Sequence, residues 1–388
     1  MSSLVASSLA PDHVFPQRDE LLDEDSLRGR LTVLLVEEVF ACERVRATYH
    51  PGRSLRLLLR VSTDRGPRLV SARAFAPGAS RSRFERAHAL DADGVRHDED
   101  LATVFFLFPA DRKLTALARL HAGAWPSIPG AVRYRLVAYA PERAATAAAD
   151  DERGRAVAFV KLHADATAER TALVHRSLRA RGLFVPAVVA KWPALRALAV
   201  EPAVGERLDG AGWPAFGRAL ARLHALPPVD ARRLSRLEPD SLRDAAATIA
   251  ALRPDVAAVA RDLAQSLCSS LPRTHVVCVH GDAHPKNVVV DGERAQLVDL
   301  DDVAGGAAAA DIGGVLAGLR FDELLGRRDP ECADAFLDGY GTRDPHATRW
   351  YTAAALLRER ALRSITRLRA DGLERLHDVL AAAREELG

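Results

Sequence analysis

Apolar and polar positions alternate through two stretches in the first half of the chain. In "ATYHPGRSLRLLLRVSTDRGPRLVSARAF" (47–75) and "VAYAPERAATAAADDERGRAVAFVKL" (137–162), a Tyr-x-Pro-x-Arg segment leads into a strand, a polar turn with Gly66 or Gly154, and a second alternating strand. Period-two alternation buries one face of a pleated strand and exposes the other, so each stretch predicts a β-hairpin unit. The two read as copies of one repeat. Seven residues beyond each glycine stands a basic residue, Arg73 in the first copy and Lys161 in the second.

Between the copies, "DEDLATVFFLFPADRKLTALARLHAG" (98–123) predicts a strand followed by a short helix, and the Pro/Gly cluster "WPSIPG" (125–130) marks a boundary. Further on the apolar period lengthens to that of a helix. "GWPAFGRALARLHAL" (212–226) sets Phe216, Leu220 and Leu223 on one stripe, which should face a core. "RDAAATIAALRPDVAAVARDLAQSLCSSL" (243–271) predicts one or two helices broken near Pro254, and 347–387 predicts two more with Gly372 as the stop between them. The pattern divides the chain into an N-terminal module (1–128), a β-rich lobe (129–204) and a helical lobe (205–388).

Composition adds boundaries rather than detail. A chain of 388 residues exceeds one ordinary core, and 48% hydrophobic with 27% charged residues fits a soluble globular protein. No apolar run nears the roughly 20 residues that a bilayer requires. The N-terminus "MSSLVASSLAPDHVFPQRDELLDED" lacks a basic leader and turns acidic, so a cytoplasmic protein without a membrane partner is expected. A formal charge of +2 with no basic tail gives no reason to expect nucleic acid. Cys42, Cys268, Cys278 and Cys332 are scattered without ligand spacing, as free thiols would be. Of 54 basic residues only Lys113, Lys161, Lys191 and Lys286 are lysines, which makes a lysine inside a motif informative.

The chemistry concentrates in "VVCVHGDAHPKNVVVDGERAQLVDLDD" (276–302), where strand-like apolar runs flank His280, Asp282, His284, Lys286 and Asn287 and lead to Asp299, Asp301 and Asp302. The spacing suits a base at a loop tip, an amide at the loop's end, and a carboxylate on the next strand. Asn287 and Asp299 are oxygen ligands of the kind magnesium accepts alongside water and substrate phosphates. Phosphoryl transfer needs little else: charge neutralisation, a carboxylate to orient the attacking hydroxyl, and a cation on the outer phosphates.

"HGDAHPKN" followed by "VDLDD" resembles the signature of the aminoglycoside phosphotransferase and choline kinase-like family, relatives of the protein kinases. The resemblance implies an α+β, bilobal protein kinase-like fold, with a β-rich N-lobe, a helical C-lobe and, ahead of them, an α+β cap module. By the same resemblance Asp282 is the catalytic base, His280 buttresses the loop, Asn287 and Asp299 bind Mg2+, and Asp311 opens a helix that supports the loop from behind. "AVAFVKL" is similar to the strand whose lysine grips the α- and β-phosphates of ATP, which selects Lys161, with Glu169 as its glutamate partner. "LAVEPAVGERL" resembles the inter-lobe hinge, so the Glu201 carbonyl and the Ala203 amide are expected to read adenine. The first turn lacks the Gly-rich sequence of protein kinases, leaving Arg143 or Thr146 for phosphate contact, and Lys286 stands where the family often has glycine.

The implied reaction moves the γ-phosphate of ATP to a hydroxyl of a small molecule: a sugar, an amino sugar or an aminoglycoside-type antibiotic. Asp301, Asp302, Trp350, Arg360 and Arg363 are the acceptor-binding candidates. At helical spacing Arg349, Arg360, Arg363 and Arg367 share a face begun by Trp350 and Tyr351, which suits a sugar or an anion better than a polyamine. The first module resembles the caps of maltokinases and amino-sugar kinases, and it equally reads as a packing extension that stiffens the β-lobe. With Arg73 in place of the lysine, that copy is not expected to bind ATP. The alternatives are a kinase of Ser or Thr in a biosynthetic peptide and a non-catalytic binding module.

Overall fold

The computed structural model describes residues 8–328 and 330–388. They form two compact units: the chain up to Ala166 with 192–197 and 365–373, and a second unit of 167–191, 198–364 and 374–388. This division differs from the three segments read from the pattern, since the N-terminal module and the hairpin carrying Lys161 share one unit.

In the first unit, β1 (Val39–His50), β2 (Ser54–Thr63), β3 (Gly66–Ala74), β4 (Val95–Asp98) and β5 (Thr103–Leu107) form an antiparallel sheet in the order β1-β2-β3-β5-β4. Alternation in β2 and β3 puts Leu55, Leu57, Leu59, Val61, Val70 and Ala72 in the core, as the pattern predicts. The helix Glu24–Leu35 buries Leu27, Leu31 and Leu35, four residues apart, and begins at Asp23, whose carboxylate accepts the Ser26 amide. The second copy of the repeat is also an antiparallel meander, β6 (Arg133–Ala140), β7 (Ala144–Asp150) and β8 (Ala156–His163), and the short strands β9 (Val188–Trp192), β10 (Ala197–Val200) and β11 (Glu206–Arg207) follow it along the chain.

The two meanders share a turn that periodicity does not reveal. Asp12 Oδ2 accepts the Tyr49 hydroxyl (2.6 Å) and the Gly52 amide (2.9 Å), while its Oδ1 accepts the amides of Val14 and Phe15. Asp111 repeats every contact: Oδ2 accepts the Tyr139 hydroxyl (2.7 Å) and the Glu142 amide (2.8 Å), and Oδ1 accepts the amides of Lys113 and Leu114. Each buried-end tyrosine is therefore tied by one carboxylate to the turn three residues beyond it.

The second unit is mainly helical. Its core joins Trp213, Phe216, Leu220 and Leu223 of the helix Trp213–His224 to Phe336, Ile312, Val315 and Leu319. That helix lies so close to the helix Glu331–Tyr340 that a Cβ at Gly217 would fall 2.2 Å from the Phe336 carbonyl oxygen. Helices Pro239–Leu252 and Ala257–Ser269 flank a 3₁₀ turn at Pro254, as expected. Two expectations for the tail need correction. Gly372 lies inside the helix Ala370–Glu374, and the break comes earlier, at Leu368 with φ +52°. The run Pro345–Ala355 passes through a π turn, Leu356–Ala361, before Leu362–Thr366. A π turn adds a residue to the helical repeat, so the arginines before and after it do not keep one face.

All four cysteines are free. Among the described residues no helix is long and apolar enough to cross a membrane.

Candidate active site

Strand β12 (Val276–Val279) pairs antiparallel with β15 (Ala304–Ala307), and β13 (Val288–Asp291) pairs with β14 (Arg294–Leu297). The loop 280–287 joins β12 to β13. Its tip is held from below by one carboxylate. Asp311, in the first turn of the buried helix Ala308–Leu324, accepts the His280 amide at 2.6 Å on Oδ2 and the Gly281 amide at 2.9 Å on Oδ1. His224 Nε2 lies 3.0 Å from Oδ2, and its Nδ1 lies 2.9 Å from the Tyr340 hydroxyl. Burial alone would raise the Asp311 carboxyl, but His224, His280 and the loop amides hold it below the usual carboxylate range. Asp311 thus does what the resemblance implies.

His280 is fully buried. Its Nδ1 accepts the Asp282 amide (3.4 Å), which leaves the proton on Nε2 for donation to the Val298 carbonyl at 3.0 Å. Gly281 has φ +77°, and a Cβ there would meet the Asp302 carbonyl oxygen at 2.3 Å, so the bend admits only glycine. His284 closes the loop by accepting the Lys286 amide, and the 3₁₀ turn Pro285–Asn287 follows.

This framework projects Asp282 with about a third of its side chain exposed. Oδ1 lies 3.5 Å from Arg236 Nη1, and Oδ2 lies 3.6 Å from His284 Nε2. Burial would raise this carboxyl, yet His284, Arg236 and Arg363 hold it far below the usual range. The cations around it favour the ionised form of Asp282, a group that could orient a hydroxyl and accept its proton.

Asn287 donates Nδ2 to the Asp282 carbonyl at 3.0 Å, with Asp282 Oδ2 at 3.5 Å, so its amide NH2 is committed and its amide oxygen is the atom that could meet a cation. The Val298 amide bonds the Asn287 carbonyl, so the β13–β14 hairpin brings Asn287 and Asp299 to the same end. Asp299 sits in the left-handed region at φ +59°, a conformation that a non-glycine residue adopts at a cost of roughly 1 kcal/mol or more. An amide oxygen and a carboxylate are a donor set that magnesium accepts.

Other expected residues fall as follows. Lys161 lies on β8 opposite Thr146 of β7. Glu169 is exposed in the first turn of the helix Thr167–Ala180 and belongs to the other unit. The Glu201 amide and carboxylate both bond Ala187, while its carbonyl and the Ala203 amide make no hydrogen bond among the described residues. Arg143 is an exposed side chain in the β6–β7 turn.

The acceptor candidates separate. Trp350 is a correction: it is 1% exposed, and its Nε1 donates to the Leu267 carbonyl, so it is a core residue. The Arg349 and Arg367 ends of the supposed stripe are engaged elsewhere, with the Glu385 carbonyl and with Ala47 and Thr48 respectively. The Asp301 carboxylate accepts the Thr171 hydroxyl, and Asp302 is bridged by Arg232 and Arg236 at 2.8 Å each. Arg360 and Arg363 remain in the neighbourhood of Asp282. Arg236 and Glu359 complete that neighbourhood, and neither was expected. Arg236 belongs to an irregular segment with no periodicity to mark it, pinned where Leu234 donates to the Gly305 carbonyl of β15.

Residues 142–351 match the model of the phosphotransferase enzyme family. Among solved structures, a choline/ethanolamine kinase family protein from Mesorhizobium loti matches with a TM-score of 0.51 at 18% identity, covering 70% of this chain and 99% of that one. At such identity the match speaks for the fold, a kinase-like α+β arrangement with β-sheet ahead of helices. A spectinomycin phosphotransferase in complex with ADP and spectinomycin matches at 16% identity, covering 66% and 93% of the two chains, TM-score 0.47. An aminoglycoside phosphotransferase from Streptomyces rimosus matches at 20% identity, covering 66% and 98%, TM-score 0.43. No curated protein matches by sequence.

Proposed function

The chain belongs to the phosphotransferase enzyme family, whose model matches more than half of it, and from that premise we propose an ATP- and Mg2+-dependent O-phosphotransferase acting on a hydroxyl of a small molecule. Membership itself makes the chain a kinase-like phosphotransferase for small molecules. The reaction proposed rests on a single observation: Asp282 projects from a loop that Asp311 clamps at two consecutive amides.

In this reading Asp282 orients the acceptor hydroxyl and takes its proton as the oxygen–phosphorus bond forms. Asn287 and Asp299 would hold magnesium, which when bound neutralises charge on the transferring phosphates. Lys161 is assigned the α- and β-phosphates by its match to the family strand. The Glu201 carbonyl and the Ala203 amide are assigned to adenine, and Arg143 to phosphate at the β6–β7 turn. His280 acts through Asp282 as a positioning residue, since both of its nitrogens are committed to backbone.

Asp282→Asn tests the assignment. It preserves shape and removes the anion, so kcat should fall about 10²- to 10⁴-fold with thermal stability retained. Undiminished transfer by this variant, measured as ADP formation and 31P NMR of the product, would remove Asp282 from the mechanism.

A further inference from the structure

The carboxylates near Asp282 and Arg360 are already paired with arginines, whereas two further arginines there lack a carboxylate partner. Asp302 is bridged by Arg232 and Arg236 at 2.8 Å, Glu359 lies 3.8 Å from Arg236, and Asp322 lies 3.5 Å from Arg328. The guanidiniums of Arg360 and Arg363 have no such partners. Among the described residues Arg363 forms no hydrogen bond or ion pair, although its field falls on Asp282. Arg360 donates one Nη2 bond to the Gly314 carbonyl at 3.1 Å, and its Nε is buried without a partner.

The fold makes room for this. A Cβ at Gly318 would stand 2.7 Å from Arg360 Nη2, so the helix Ala308–Leu324 is notched by glycine where the guanidinium lies against it. The π turn Leu356–Ala361 carries Arg360, and such turns commonly interrupt helices at functional sites. Burial lowers the pKa of Arg360 from its ordinary value, whereas carboxylate partners raise that of Arg236. A buried, incompletely bonded cation is costly unless an anion joins it.

We propose that the phosphoryl acceptor carries an anionic group of its own, a carboxylate or a phosphate, which Arg363 and Arg360 hold beside Asp282. This rests on the phosphotransferase reading and names the class of acceptor for it. The acceptor oxygen bonds to the γ-phosphorus of ATP, the bond from that phosphorus to the bridging oxygen breaks, ADP leaves, and the hydroxyl proton passes to Asp282. A polycation meets the reverse of what it needs, because the nearby carboxylates are committed and the unpaired groups share its charge.

The test uses the full chain with ATP and Mg2+ and a matched set of probes: D-gluconate and D-glucose 6-phosphate, their neutral counterparts D-sorbitol and D-glucose, and the cations choline and kanamycin. At least one anionic probe should be phosphorylated with kcat/KM about 10-fold or more above its neutral counterpart and above both cations. Arg363→Gln and Arg360→Gln should each raise the KM for that probe about 10- to 100-fold and leave the KM for ATP unchanged. Arg363→Lys should recover part of the loss, and it serves alone if the glutamine variants fail to fold. Equal or better use of a neutral or cationic probe, no use of either anion, or an unchanged KM in Arg363→Gln overturns the proposal. ATP hydrolysis with water as acceptor separates the two levels. If it is present and lost in Asp282→Asn while anions show no advantage, only the acceptor class is wrong. If no Asp282-dependent ATP turnover occurs with any probe or with water, the underlying reading fails as well.

Discussion

The two meanders of the first unit are built alike and equipped differently. Asp12 and Asp111 make the same four hydrogen bonds, Tyr49 and Tyr139 donate to them in the same way, and the residue three beyond each tyrosine is left-handed. In the first copy that residue is Gly52 at φ +64°, the natural occupant. In the second it is Glu142 at φ +57°, with its side chain buried. The basic residue also differs. Arg73 of β3 ion-pairs with Glu142, together with Arg112 at 3.0 Å and Arg56 at 3.6 Å, whereas Lys161 occupies the equivalent place on β8. The comparison shows one copy turned into an anchor for the other. The first uses its basic position to fix the β6–β7 turn next to Arg143, and the second keeps a lysine there, the residue proposed above to meet the nucleotide's phosphates.

If so, the equivalent basic residues should part company when removed. Lys161→Ala should lower kcat/KM for ATP about 10²- to 10³-fold, the usual loss when a cation aimed at a charged transition state is deleted. Arg73→Ala should leave ATP turnover within a few fold and instead lower the thermal midpoint. Similar kinetic losses in both variants would mean that Arg73 serves the nucleotide and that the copies have not diverged in role.

The shared carboxylates should behave alike. Asp12→Ala and Asp111→Ala each strip four donors of their acceptor, including a tyrosine hydroxyl, at a cost of about 2–4 kcal/mol by urea denaturation. A cost confined to one of them would show that only that turn is structural.

How much of this was legible depended on whether a feature is local. The clustering of Asp282, Asn287 and Asp299 was legible because they lie on one contiguous stretch whose spacing is fixed by two short strands. The meanders could be read because alternation records burial directly. Asp12 and Asp111 could not, since they stand outside the alternating segments and reach their tyrosines only through tertiary folding. Trp350 and the arginine stripe misled for a related reason. A 3.6-residue period assumes an unbroken α-helix, and the π turn at Leu356–Ala361 resets the phase, while Trp350 faces the core rather than a ligand. Arg236 carried no signal at all, because an isolated arginine in an irregular segment has no pattern from which its partner can be inferred.

The finest difference between the copies is the charge of Glu142, and it can be isolated by pH. Burial would raise this carboxyl, but hydrogen bonds from Arg112 and Arg73 and the field of both hold it below its ordinary value. A depressed carboxyl stabilises the folded state above its unfolded pKa, near 4.3, and that contribution is lost as pH falls through the lower folded value. Glu142→Gln keeps the size and the left-handed backbone and removes only the charge. Because Arg56, Arg73 and Arg112 retain partial access to water, the loss at pH 7 should be modest, about 1–2 kcal/mol. The gap between the two proteins in urea should then narrow as pH falls below the unfolded-state value of about 4.3, because the unfolded wild-type chain takes up the proton before the folded one does. A gap that persists unchanged into acid would assign the cost to packing at the turn, and the first copy would lose its standing as an electrostatic anchor for the second.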